Sequence, residues 1–234
     1  MLLTKHCTPE NRQRMLLGHF RIGTHGEYSK GEKTGLLSDT AEGIGATQFI
    51  GDIKNASWRI GSNIFENITI IGAGEASLHL DERVNYNIFC ASKGLYNRER
   101  HQKLLNGVEN YEKNPDITDY VIIKRDIFKR ALQCMSDHMF GVDSHWISQH
   151  VKYGNRISQI SSNEIGKFKY DGRRRLIDAA FTKPEKFSVE DEWRYVLVKK
   201  ASILGPEPIY TCNLPDNIID LFKQSVFHSD SYKG

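Results

Sequence analysis

Three acids in a row, Glu190, Asp191 and Glu192, run straight into Trp193-Arg194-Tyr195-Val196-Leu197-Val198, a stretch rich in good strand formers. In an extended segment residues two apart face the same side. Glu190 and Glu192 are therefore expected to point together into whatever cleft the strand borders, with Trp193 turned to the other face. Two neighbouring carboxyls can divide labour. One stays ionised and stabilises a developing cation or orients a ribose hydroxyl, while the other, with a raised pKa, takes a proton from a nucleophile. That is glycosidic-bond chemistry. Taken alone, the triplet reads more simply as an acidic loop before a strand, with Arg194 pairing to a neighbour.

A second candidate is basic. Lys167-Phe168-Lys169-Tyr170-Asp171-Gly172-Arg173-Arg174-Arg175 places Lys167, Lys169, Arg173, Arg174 and Arg175 beside Phe168 and Tyr170. Cations hold phosphates and aromatic faces stack unpaired bases, so the segment suits single-stranded nucleic acid. The plainer alternative is a solvated loop. Two weaker patterns compete elsewhere. Gly72-Ala73-Gly74-Glu75-Ala76-Ser77 follows an apolar run as a dinucleotide fingerprint would, but the third glycine is missing and a hairpin turn fits better. His138, Asp143, His145 and His150 are near one another in sequence, yet Gly141 interrupts any helix that would align them, and no metal site is expected.

These residues need elements to hold them. Thr8 caps, Pro9 starts and Gly18 closes a first helix over about residues 9 to 17. His19 to Gly23 reads as a short strand entering a long loop over 23 to 47. Further strands are expected at Ile68 to Ile71, near Tyr86 to Ala91, at Asp119 to Ile123 and at Glu192 to Val198. Asp126 is placed to cap an amphipathic helix carrying Ile127, Phe128, Ala131, Leu132 and Met135, and Pro215 to start a last one. Strands with irregular connections outnumber strand-helix-strand units, which predicts an α+β fold with a mixed sheet.

Composition bounds the rest. The 234 residues carry a formal net charge of +3, too mild to identify a nucleic-acid binder. No linker or repeat divides the sequence, so one domain over 1–234 is the simplest expectation. No apolar run approaches the length needed to span a bilayer, and Cys7, Cys90, Cys134 and Cys212 lack paired spacing. Both fit a reducing cytoplasm without membrane attachment.

The order of residues adds a resemblance. Arg21 at the end of an early strand, Ser92 at the end of a middle strand and Glu190-x-Glu192 opening a late one resemble the arginine, serine, glutamate arrangement of the ADP-ribosyltransferases. Several segments also resemble a largely uncharacterised bacterial domain family, some members of which are linked to phage defence. They are Phe20-Arg21-Ile22-Gly23-Thr24 with Tyr28, Asp39-Thr40-Ala41-Glu42-Gly43, Tyr86-Asn87-Ile88-Phe89-Cys90-Ala91-Ser92, and Phe181-Thr182-Lys183 leading to Glu190-Asp191-Glu192-Trp193-Arg194.

The resemblance implies an ADP-ribosyltransferase-like fold, with a mostly antiparallel split sheet and flanking helices, and NAD as substrate. It implies that Arg21 with Thr24 holds the dinucleotide phosphates and that Ser92 supports the nicotinamide ribose. Glu192 would stabilise the oxocarbenium-like transition state, and Glu190 would activate the acceptor. In the histidine, tyrosine, glutamate branch His19 or His25 replaces Arg21, and Tyr28 stacks on the nicotinamide. Lys183 and Arg194 add positive charge or position the glutamates. Ser92 departs from the family in sitting in Cys90-Ala91-Ser92 rather than serine-threonine-serine. The acceptor is RNA or a protein, with water in a plain NAD glycohydrolase as the alternative. A toxin of this kind implies a neutralising protein partner. A module with the fold and no chemistry is the rival from another class.

Overall fold

The computed structural model describes residues 1–30, 46–50, 53–60, 63–70, 76–78, 86–107, 115–155, 157–161, 177–198 and 207–229. The chain forms two compact units, one made of Met1–Glu42, Asn85–Gly154 and Phe181–Gly234, the other of Gly43–Val84 and Asn155–Ala180.

Up to the middle of the chain the elements are β1 (Leu2–Cys7), α1 (Pro9–Leu16), β2 (Arg21–Thr24), α2 (His25–Lys30), β3 (Ala46–Ile50), β4 (Ile53–Ile60), β5 (Asn63–Ile70), β6 (Ala76–Leu78) and β7 (Asn87–Lys93). Then come α3 (Arg98–Asn106), β8 (Asp119–Lys124), α4 (Arg125–Phe140), β9 (His145–His150), β10 (Lys152–Tyr153), β11 (Ile157–Ser161) and β12 (Thr182–Lys183). A 3-10 turn at Glu185–Glu190 leads to β13 (Glu192–Val198), β14 (Ile209–Tyr210), α5 (Asp216–Gln224) and β15 (Val226–Phe227).

In the larger unit β7 is the hub of an antiparallel sheet. One edge of it pairs with β13 from Ser92 to Ile88, and β13 in turn pairs with β9. The other edge is divided, because β2 takes Asn87 and Ile88 while β1 takes Ser92 and Lys93. From there β1 continues to β8 and β15, and β2 to β14. The fold is thus α+β with a mostly antiparallel sheet flanked by helices. The smaller unit pairs β3 with β11 in parallel and with β6 antiparallel, and holds the β4–β5 hairpin. Among the described residues β5 therefore pairs with β4 and β6 with β3. The glycine turn expected after Ile71 lies outside the described residues.

The two faces of the large sheet differ in chemistry, as alternation demands. Leu3, Ile22, Phe89, Ala91, Val121, Ile123, Tyr195 and Leu197 fall on one face and pack with Phe128, Ala131, Leu132 and Met135 of α4 and Ile218 and Phe222 of α5. Trp193 belongs to this face, partly buried, with the Arg125 guanidinium 5.4 Å from its ring centre. The opposite face carries the polar Thr4, Ser92, Glu192 and Arg194 together with Cys90, Ile88, Ile122 and Val196. Register settles this, since Ser92 pairs with Thr4 and Glu192, and Cys90 with Arg194. An apolar face is spent on the core, which leaves the polar face for a site.

Local signals account for most helix ends. Thr8 accepts a hydrogen bond from the Asn11 N–H at 3.2 Å with Pro9 in the first turn. At the other end the His19 N–H donates to Arg14 and Gly18 N–H to Met15, a Schellman closure with Gly18 at φ 85°. A side chain at Gly18 would put its Cβ 2.5 Å from the Ile219 carbonyl oxygen, so both conformation and space require glycine. Two expectations are corrected. Asp126 is not the cap of α4: Lys124 is, without a side-chain bond, and Asp126 sits in the first turn paired with Arg125. The loop expected from Gly23 onward holds α2, because Thr24 and Glu27 form a capping box in which each accepts the other's backbone N–H, at 2.9 and 3.3 Å.

Candidate functional site

Three adjacent strands of the large sheet carry the residues singled out from sequence. Glu192 opens β13, Ser92 faces it on β7, and Arg21 opens β2 on the far edge of β7. Gly23 is in register with Ile88, and Ile88 with Val196, so alternation puts Arg21 on the same face as Cys90, Ser92, Glu192 and Arg194. Arg21, Ser92 and Glu192 therefore project from one polar face of β2, β7 and β13.

The glutamates converge, though not by strand alternation. Glu190 ends the 3-10 turn, Glu192 begins β13, and Asp191 between them is left-handed at φ 43° and ψ 53°. That reversal brings both carboxyls onto one ammonium. Lys183 Nζ lies 2.8 Å from Glu190 Oε2 and 2.9 Å from Glu192 Oε2, and Arg194 Nε donates to Glu192 Oε1 at 2.6 Å. All four side chains are buried, Glu192 to 2% exposure and Arg194 to 0%. The segment is tied down at every turn. The Glu192 N–H donates to the Tyr153 hydroxyl at 2.7 Å, the Lys93 N–H to the Asp191 carbonyl at 2.7 Å, and the Val151 N–H to the Glu192 carbonyl at 2.9 Å.

Electrostatics separates the two acids. Burial pushes Glu190 up to about 8, and the charge of Glu192 adds to this while Lys183 opposes it. Burial also works against charge on Glu192, but Arg194 and then Lys183 outweigh it and hold that carboxyl well below the usual range. Geometry agrees, since among the described residues Glu192 has two cations and Glu190 one, and Glu190 Oε1 and Glu192 Oε2 are both buried without a hydrogen-bond partner when both acids are carboxylates. A proton on Glu190, donated to Glu192, removes both problems. Cys90, on the same face, is raised by burial and then by the charge of Glu192. Tyr153 is raised in the same way.

Arg21 is half-exposed and bonds Glu27 Oε1 at 2.6 Å, while Glu27 Oε2 accepts the Thr24 N–H. Thr24 is buried at 3% exposure, its hydroxyl accepting the Glu27 N–H in the capping box at 3.3 Å. His25 is buried, its N–H donating to the Tyr86 carbonyl at 3.0 Å. His19 lies in the turn after α1, its N–H engaged by Arg14. Tyr28 belongs to α2, but its side chain lies outside the described residues. So does the whole basic segment with Lys167, Lys169, Tyr170, Arg173, Arg174 and Arg175. Among the described residues no group of three or more acids, histidines or cysteines is arranged to hold a metal.

Sequence reasoning passed over Tyr153, Glu27 and the partners of Asp191. The Asp191 carboxylate bridges His150 Nε2 and an Arg100 nitrogen, each at 2.7 Å. The only advance signal was Thr24-x-x-Glu27, a capping-box spacing; nothing local ties Arg100 or His150 to residues 91 and 41 positions further on. The four cysteines are free, and no described helix is long and apolar enough to cross a membrane. Comparison with protein-family models, curated proteins and solved structures gives no match for this chain.

Proposed function

We propose that the chain is an NAD-dependent ADP-ribosyltransferase with an ADP-ribosyltransferase-like fold. The observation that carries this reading is the common face: Arg21, Ser92 and Glu192 project together from the adjacent strands β2, β7 and β13. In this reading the bond between the ribose anomeric carbon and the nicotinamide nitrogen breaks, its electron pair stays on the ring nitrogen, and nicotinamide leaves neutral. The negative charge of Glu192, secured by Arg194 and Lys183, stabilises the cationic ribose. The acceptor then attacks the anomeric carbon, and its proton passes to Glu190. Glu190 must be ionised to take it, and burial raises that carboxyl to about 8, so this step quickens as pH rises from neutral toward 8. Arg21, half-exposed beside Glu27, is the anchor for the dinucleotide phosphates.

RNA is the acceptor we favour, on the strength of the cations and aromatics at Lys167 to Arg175. A protein acceptor is the alternative. The chemistry is that of a toxin, plausible in phage defence, which would need a neutralising protein partner. One observation favours a second reading. Glu192 is sealed between Lys183 and Arg194 under Tyr153, as in a purely structural ion network, and a binding module without turnover would look the same. Incubation with labelled NAD separates the readings. Transfer of label to RNA or protein supports the transferase, free ADP-ribose means hydrolysis, and no turnover supports the module. In the transferase, Glu192→Gln lowers turnover about 100-fold or more while circular dichroism shows the fold retained.

A further inference from the structure

Asp191 is the one described non-glycine residue with a positive φ, and it stands between the two glutamates. A left-handed aspartate is uncommon and persists where its surroundings fix it. Here four contacts do so. Its N–H donates to the Ser188 carbonyl at 3.1 Å and its carbonyl accepts the Lys93 N–H at 2.7 Å. Its two carboxylate oxygens are shared between His150 at the end of β9 and Arg100 of α3. Arg100 is fixed in turn, since its other terminal nitrogen donates to the Lys93 carbonyl at 2.9 Å. The end of β7, the start of α3 and the end of β9 all close on this single residue.

The consequence is geometric. With Asp191 left-handed, both carboxyls lie within 3 Å of Lys183 Nζ. We infer that Asp191, clamped by Arg100 and His150, is a positioning residue that sets the approach of Glu190 to Glu192. It touches no reacting atom and acts through the turn it holds. This inference deepens the proposed reading of the glutamate pair and rests on it for its catalytic meaning, while the positioning itself is measurable without any substrate.

The test compares three variants. Asp191→Gly and Asp191→Asn accept the left-handed conformation, and Asp191→Ala disfavours it. Titration of the Glu190 carboxyl by carbon-13 NMR, with Glu190→Gln for assignment, reads whether the turn still holds that carboxyl buried beside Lys183 and Glu192. In the native protein the midpoint is expected at about 8. The Asn variant, which accepts the left-handed turn and keeps a side-chain oxygen for the clamp, is expected to keep it there, the Ala variant to bring it down toward ordinary carboxyl values, and the Gly variant, left-handed but unclamped, to fall between the two. NAD turnover, read in parallel, falls about 10-fold in kcat for the Ala variant with KM little changed. Should the Ala variant fail to fold, the double variant Arg100→Met/His150→Gln removes the clamp without touching Asp191, and a lowered Glu190 midpoint there supports the inference. An unmoved midpoint in whichever of these two folds overturns it. Absence of turnover in the native protein sinks the transferase reading alone, because the titration still reports the positioning.

Discussion

Ser92 stands directly opposite Glu192 in the antiparallel pairing of β7 with β13, and both side chains are buried on the same polar face. Directly opposed residues have Cβ atoms about 5 Å apart, close enough for one sugar to touch both. Ser92→Ala removes a single hydroxyl and leaves the ion network intact. The expected result is a drop in kcat/KM for NAD of about 10-fold, the scale of one lost hydrogen bond, with thermal stability little changed. Steady-state kinetics checks it, and an unchanged kcat/KM removes Ser92 from the site.

The glutamate pair makes stability depend on pH in two opposite ways. Glu190 has its folded pKa raised to about 8, so its contribution is fully present below the unfolded value near 4.5 and is lost as pH rises through 8. Glu192 is held below its ordinary range, so its contribution is present above about 4.5 and lost as the solution is acidified further. Glu190→Gln replaces a buried acid with a neutral group of the same shape. It should cost little at pH 5 and stabilise the protein at pH 9 by on the order of a few kcal/mol. Urea unfolding at the two pH values decides this. Equal shifts at both would mean that Glu190 does not carry the proton.

How much of this was visible beforehand depends on sequence distance. β13, α1 and α5 were legible because propensity, capping and periodicity are local: Thr8, Pro9 and Gly18 mark their helix from within ten residues. The acidic pair was found for a partly mistaken reason. Alternation in a strand was invoked, whereas a left-handed residue and a 3-10 turn bring Glu190 and Glu192 together, and no single-sequence pattern announces φ 43° at an aspartate. Lys183 and Arg194 were expected to add charge or to position the glutamates, but the depth of burial was not expected. That depth depends on β12, which carries Lys183 9 positions before Glu192, and on β10, whose Tyr153 stands 39 positions before it. Arg21, Ser92 and Glu192 were named from order alone; the registers that put them on one face join residues from 65 to 108 positions apart.

A histidine cluster predicts a second acid-sensitive feature, away from the glutamates. His6 of β1 lies edge-on to His101 of α3 with ring centres 4.9 Å apart, and both His6 nitrogens are buried without hydrogen-bond partners. Burial first, then the neighbouring His101 and Arg100, push His6 down to about 3. The folded pKa is depressed, so the unfolded chain binds the extra proton, and stability is full above about 6.5 and falls as pH drops toward 3. His6→Phe keeps a flat ring and cannot ionise. Relative to the native protein it should gain on the order of 1–3 kcal/mol at pH 4.5 over its value at pH 7.5. Parallel denaturation curves at the two pH values test this.

Lys183 joins the two glutamates from a third side. Its buried ammonium serves both carboxyls and rests 4.9 Å from the centre of the Phe187 ring, a contact that a methionine side chain can keep. Lys183→Met leaves Glu192 with Arg194 alone and Glu190 with no cation. The loss should be about 3–5 kcal/mol at pH 7, the usual cost of breaking a buried pair from one side. Lys183 also holds Glu190 down against burial, so removing it moves the alkaline loss of stability to still higher pH. In the Glu190→Gln background the same substitution should cost less, with a coupling of about 1–3 kcal/mol in a double-mutant cycle. Additive losses would mean that Lys183 answers to Glu192 only, and that the ammonium does not link the two acids.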